Sequence, residues 1–173
     1  MEELDVSTVV YIPPKEAYDF LRDFPGYAEY SAYLETVRQD GDGGVGTRYD
    51  LVLGWWKLSY TARSRVIDLD PPERIDWTLE GGLDAEGSWI VEPAPEECPP
   101  DEDHASRITF HVEYDPDSAR DASLDLPVLV SMDWVIEKVS PLAEREARRV
   151  VERVVADLEG ERREVELEVD GPG

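Results

Sequence analysis

Between residues 47 and 114 the chain repeats one pattern four times: apolar and polar side chains alternate with a period of two. Thr47–Trp56 sets Tyr49, Leu51, Leu53 and Trp55 on one side, and Leu58–Ile67 sets Leu58, Tyr60, Ala62, Ser64 and Val66 opposite Thr61, Arg63 and Arg65. Arg74–Glu80 gives Ile75, Trp77 and Leu79 against Asp76, Thr78 and Glu80; Arg107–Tyr114 gives Ile108, Phe110, Val112 and Tyr114 against Thr109, His111 and Glu113. Successive side chains on a strand point to opposite faces, so each segment predicts a strand with one apolar and one wet side. Short turn signals separate the segments (Gly54, Asp70-Pro71-Pro72, Gly81-Gly82), and this spacing is too tight for parallel crossovers. An antiparallel meander is therefore expected, with Ser88–Glu92 in a further strand.

The flanking segments complete the plan. Leu4–Ile12 predicts a first strand with Leu4, Val6, Val10 and Ile12 on one face, ended by Pro13-Pro14, which can also open a helix. Lys15–Phe24 then places Ala17, Tyr18, Leu21 and Phe24 at helical spacing, Pro25-Gly26 breaks it, and Tyr27–Ala32 is expected to form a short second helix before a strand at Tyr33–Gln39. A long helix is expected from Leu126 to Leu158, with Leu129, Met132, Ile136, Val139, Ala143, Ala147, Val150 and Val154 as its apolar stripe and Pro141 as a kink or boundary. Pro93–Ala105 is acidic and Pro-rich, a composition that favours disorder. Residues 161–173 read as an acidic tail or an extra edge strand, through the alternation of Val165, Leu167 and Val169.

At 173 residues and 41% hydrophobic content the chain is large enough for one cored domain. Its net charge of −24 is extreme, and self-repulsion on that scale opposes compaction unless salt screens it. At about 1 M salt the Debye length is only about 3 Å. With 14 Arg, 3 Lys and 41 Asp and Glu, the composition resembles that of cytoplasmic proteins from salt-in halophiles, the haloarchaea among them. No nucleic-acid partner is expected, because such binding needs a basic stripe to displace counterions. No signal peptide or 18-residue apolar run is visible, so a cytoplasmic location is expected. Cys98 stands alone between acidic and proline residues, which predicts neither a disulfide nor a reactive thiolate.

Four short segments, in this order, carry a family resemblance: Phe24-Pro25-Gly26-Tyr27-Ala28-Glu29-Tyr30, Gly44-Val45-Gly46-Thr47-Arg48-Tyr49, Asp70-Pro71-Pro72-Glu73-Arg74-Ile75 and Gly87-Ser88-Trp89. With the element order they resemble the START-like (SRPBCC) superfamily, whose members include polyketide cyclase/dehydrase and coenzyme-Q-binding branches. The resemblance implies an α+β helix-grip fold over residues 1–160: a curved antiparallel sheet wrapped around a long C-terminal helix, with two short helices after the first strand. Tyr30 departs from it, standing where many members carry Trp.

The resemblance also implies a cavity between sheet and helix, used by different members for lipids, sterols, quinones, aromatic polyketides or hormones. Its expected lining is Tyr49, Leu51, Leu53, Tyr60, Ala62, Trp77, Trp89, Phe110 and Val112 from the sheet, with Leu129, Met132 and Ile136 from the helix; plain core packing by the same residues is the competing reading. Catalytic residues are not expected, since the inward alternates hold no His, Asp or Glu and His111 has outward parity. Two His and one Cys offer no metal-ligand spacing, and no cofactor is implied. Arg63 and Arg65 face solvent in this register and would point inward if it slipped by one residue. Three functions follow as expectations: binding or transport of a hydrophobic small molecule (a lipid, an isoprenoid quinone or a polyketide-like compound), with possible transient membrane contact; a cyclase or dehydrase; or a protein-interaction module of the toxin or co-chaperone type.

Overall fold

The computed structural model describes residues 2–55, 58–80, 84–115, 118, 132–161, 163 and 165–170, with backbone alone at 55, 58 and 132–144. Among the described residues, eight strands form one antiparallel sheet in the order β2-β3-β4-β5-β6-β7-β1-β8. The strands are β1 (Glu2–Val10), β2 (Leu34–Asp40), β3 (Arg48–Trp55), β4 (Leu58–Asp70), β5 (Arg74–Leu79), β6 (Ala85–Pro93), β7 (Ser106–Tyr114) and β8 (Glu168–Asp170). The expected meander is continuous from β2 to β7, and β1 returns to pair with β7 in a register running from Glu2↔Tyr114 to Val10↔Ser106. Bulges at Leu34/Thr36 and Val66/Asp68 interrupt the ladders, and such insertions increase local twist and bend the strand.

Between β1 and β2 lies α1 (Pro14–Arg22), with Pro in its first turn, where a missing N–H costs no helical hydrogen bond. Its apolar face, Ala17, Tyr18 and Leu21, is buried. The second helix expected at Tyr27–Ala32 is instead a 3₁₀ segment at Phe24–Glu29. Pro25 stands in its first turn, so the residue read as a breaker starts the element.

The long helix α2 is described over Met132–Glu159 and continues past Pro141 without a boundary. Gly160 ends it in a left-handed conformation (φ 80°), and its N–H donates to the Ala156 carbonyl at 3.0 Å; glycine alone adopts that φ without strain. The expected stripe is displaced along the C-terminal half. Val155 is fully buried, Val151 and Leu158 pack on the core, and Ala147 is exposed. Apolar residues occur on two overlapping stripes there, and periodicity alone cannot rank them; packing selects the one that carries Leu158. The expected start at Leu126 lies outside the described residues, as do Leu129 and the side chains of Met132, Ile136, Val139 and Ala143.

Two segments are better placed than their composition suggests. The make-up of Pro93–Ala105 favours disorder, yet the Ala94 N–H donates to the Ala105 carbonyl (2.9 Å), both alanines are buried, and the Cys98 thiol donates to the Glu102 carbonyl (3.2 Å). Arg107 clamps this excursion to the sheet edge, meeting Glu97 at 2.7 Å and Glu168 of β8 at 3.2 Å. The tail supplies β8, paired with β1, and Val165 enters the core. Among the described residues, no helix is long and apolar enough to cross a membrane.

Candidate functional site

Residues paired across an antiparallel ladder share a face. The registers therefore define inward rows: Leu53–Tyr60, Leu51–Ala62, Tyr49–Ser64–Leu79, Val66–Trp77–Gly87–Val112–Leu4 and Ile75–Trp89–Phe110–Val6. All nine strand residues expected to line a cavity lie on this one face.

The face has two halves. In one, Val10, Tyr49, Val66, Ile75, Val91 and Ile108 join α1, Phe24 and Val155 of α2 in a single buried cluster. Tyr49 is 2% exposed and meets Phe24 edge-on at 4.7 Å, so the structure places it in packed core rather than beside open space. In the other half, Leu51, Tyr60, Ala62, Phe110 and Val112 are only half-buried and Leu53 is 37% exposed, while half-buried Trp89 packs against the cluster. Trp77 sits at the boundary, 8% exposed.

An aromatic tract joins the halves. Phe20 stacks on Tyr27 at 5.9 Å, Tyr27 meets Trp89 edge-on at 6.4 Å, Trp89 meets Phe110 at 4.8 Å, and Phe110 lies nearly parallel to Trp77 (5.8 Å, 13°). The Tyr27 hydroxyl donates to the Leu21 carbonyl, and burial holds its pKa well above the ordinary tyrosine value. Glycine at position 87 admits the Trp77 ring: a Cβ there would stand 2.6 Å from Trp77 Cζ2 and 2.3 Å from the His111 carbonyl oxygen. The indole Nε1–H is buried without a hydrogen-bond partner, an arrangement that costs about 1–3 kcal/mol unless something accepts from it.

The opposite face is wet. Arg63 faces Asp50 at 3.5 Å and Arg65 faces Glu80 at 3.2 Å, both on the solvent side. His111 Nδ1 is 2.6 Å from Asp5 Oδ1, and that hydrogen bond raises the imidazole pKa above its ordinary value. Ser88, His111 and Asp5 lie in one cross-strand row, the residue types of a hydrolytic triad. The Ser88 hydroxyl donates to Asp76 and His111 Nε2 faces Glu113 at 3.5 Å, so no nucleophile–base pair is formed.

A depression of about 570 Å³ lies elsewhere, between the 3₁₀ segment and the C-terminal half of α2, lined by Glu29, Tyr30, Arg149, Glu152, Arg153, Ala156, Asp157 and Arg163. The Tyr30 hydroxyl donates to Asp157, which pushes its pKa up to about 12. Arg153 donates to the Tyr30 carbonyl at 2.6 Å and to buried Glu146 at 3.3 Å, and Glu146 also accepts from the Ala32 N–H at 3.1 Å. Sequence reasoning missed this contact because it joins residues more than a hundred positions apart. It contains none of the expected cavity residues, and its charged lining suits water and ions better than an apolar ligand.

The sequence matches the family described as polyketide cyclase / dehydrase and lipid transport over residues 1–159. No curated protein matches it. Among solved structures, TTHA0849 from Thermus thermophilus is similar at 16% identity and TM-score 0.60, covering 91% of this chain and 97% of that one. The Zhui aromatase/cyclase from the Streptomyces strain R1128 has 17% identity and TM-score 0.60, with 91% and 93% covered. Ara h 8.0201 has 13% identity and TM-score 0.59, with 91% and 97% covered. At these identities the structural likeness carries the fold alone, and it is the helix-grip fold that the resemblance implied. The match along residues 1–159 adds the family: this chain belongs to the polyketide cyclase/dehydrase and lipid transport family.

Proposed function

We propose that this protein binds and carries a hydrophobic, ring-bearing small molecule, a lipid, quinone or polyketide-like compound, against the open half of its inward sheet face. The observation that carries this reading is the unequal sealing of one apolar face: Leu51, Tyr60, Ala62, Phe110 and Val112 keep part of their surface accessible beside neighbours that are fully buried. Ligand sites are lined mainly by apolar and aromatic side chains with a few placed polar groups. Tyr and Trp add polar edges to apolar ring faces, which suits an amphiphilic ligand.

A cyclase or dehydrase reading draws on the family and on the aromatase/cyclase of the same fold. Proton transfer at a bound ligand needs an acid or base within hydrogen-bond reach. Among the described inward positions of β1 and β3–β7 the single carboxylate is Glu2, at the rim beside Tyr114, whose pKa is raised by partial burial and by its hydrogen bond to Glu2. Carriage is therefore better supported than turnover.

Native mass spectrometry of protein isolated from its own source in high salt, with extraction of whatever co-purifies, tests the proposal. A stoichiometric ring-bearing hydrophobe is expected. An empty protein that also fails to enhance the fluorescence of a naphthalene dye would overturn it.

A further inference from the structure

The match to the family ends at residue 159, and from Glu159 onward the chain covers one surface, the outer edge of β1. Strand β8 pairs with Asp5–Ser7. The Thr8 hydroxyl donates to the Glu166 carbonyl (2.8 Å), the Val9 carbonyl accepts from Arg163 (2.8 Å), and the Tyr11 N–H donates to Glu159 (3.0 Å). The edge is thus closed from Asp5 to Tyr11 by the same chain. Arg163 fastens the cover: its guanidinium donates to both oxygens of Glu159 at 2.9 and 3.0 Å and lies 4.1 Å over the Tyr11 ring. Val165 anchors it in the core at 2% exposure, and its carbonyl accepts from Arg148 at 3.3 Å.

An open strand edge presents unpaired N–H and C=O groups that template pairing with another chain. The other edge of the sheet, β2, is blunted by its bulge at Leu34/Thr36 and by exposed Glu35, Arg38 and Asp40. β1 has no such protection over Val6–Val10, which holds three valines and no charge. β8 takes its place at the edge with three exposed residues, two of them acidic. The bare edge of β1 also fits a copy of itself. Antiparallel pairing about a two-fold axis at Ser7 sets Asp5 opposite Val9 and Glu3 opposite Tyr11, so no carboxylate meets another. The same register sets Leu4 opposite Val10 and Val6 opposite Thr8, which continues the inward face across the axis.

We propose that the outer edge of β1 is a pairing surface for a second copy of this chain, held closed in each copy by its own residues 159–170. The closure is an autoinhibitory contact, because tail and second copy compete for the same backbone groups. Association therefore requires the tail to leave, and Arg163 and Val165 oppose its leaving.

Val165→Asp in the full chain tests this, since a carboxylate at a core position favours an expelled tail. Molar salt screens the net charge of −24 that would otherwise oppose association. Under that condition sedimentation equilibrium should find the wild type monomeric and the variant dimeric, at concentrations at least roughly tenfold below any association of the wild type. A synthetic peptide of residues 161–170 should return the variant to monomer by reoccupying the edge. The amides of Asp5, Ser7 and Val9, on the outer side of β1, should stay protected from hydrogen exchange in the dimer. A variant that stays monomeric, an association that the peptide does not reverse, or a wild type that dimerises with its tail docked would overturn the inference. Arg163→Ala leaves Val165 in place and carries the same outcomes if V165D does not fold, with its dimer expected at higher concentration.

Discussion

The two halves of the inward sheet face share one composition and differ in how far they are sealed. Toward α1, the rings and branched chains of Tyr49, Val66, Ile75 and Val91 are closed over by Phe24, Leu21 and Val155 into a single core. Across Trp77, the same alternation continues through Phe110, Val112, Tyr60 and Leu51, and these side chains keep accessible surface. Apolar patterning therefore specifies which face turns inward and says nothing of whether it is filled.

The sharpest way to break this comparison is to truncate one residue in each half. Ile75→Ala should cost about 2–5 kcal/mol of stability, because it opens a void in a fully packed site, while affinity for a naphthalene dye stays near that of the wild type. Phe110→Ala should lose less stability and most of the dye affinity. Chemical denaturation and dye titration on both variants measure this directly, and equal stability losses with equal affinity losses would erase the distinction between the halves.

Next in size is the anchor that holds the loop before β2 onto α2. Glu146 is buried and accepts from the Ala32 N–H and Arg153. Glu146→Ala leaves that amide unpaired and should cost about 1–3 kcal/mol, visible as a lower denaturation midpoint. Wild-type stability in the variant would mean the polar contact contributes nothing to closing the sealed half.

Smaller again is the response to salt, which acts on the wet surface and spares both apolar halves. With a net charge of −24, transfer from molar to low salt should lower stability by at least about 1 kcal/mol, roughly 2–4 °C in Tm for a chain of this size. Melting curves that coincide across that range would refute the halophilic reading of the composition.

The smallest effect belongs to the outer face. The Asp5 hydrogen bond raises the folded-state pKa of His111 above 6.5. The protonated pair accordingly stabilises the folded state fully below about 6.5 and loses that contribution as pH rises through the raised value. Comparing Tm against pH for wild type and His111→Gln should show a modest excess stability of the wild type at low pH that vanishes at high pH; parallel curves would mean the pair is energetically silent.

Much of this was readable in the chain. The period of two in Thr47–Trp56, Leu58–Ile67, Arg74–Glu80 and Arg107–Tyr114 determined the strands and their inward faces, because a side chain's face on a strand follows from its parity alone. Ala17, Tyr18 and Leu21 declared the buried face of α1 in the same way. Where two solutions satisfied the local pattern, only the tertiary structure decided. It selected Val151, Val155 and Leu158 over the neighbouring stripe of α2, turned Pro25 from a breaker into a start, and used Arg107 to hold an acidic, Pro-rich excursion in place. It also divided one apolar face into core and candidate site, putting Tyr49 in the first and Phe110 in the second. The physical reason is common to all four: periodicity is a property of neighbours in sequence, whereas burial depends on which distant element arrives to cover a surface and how much of it that element can reach.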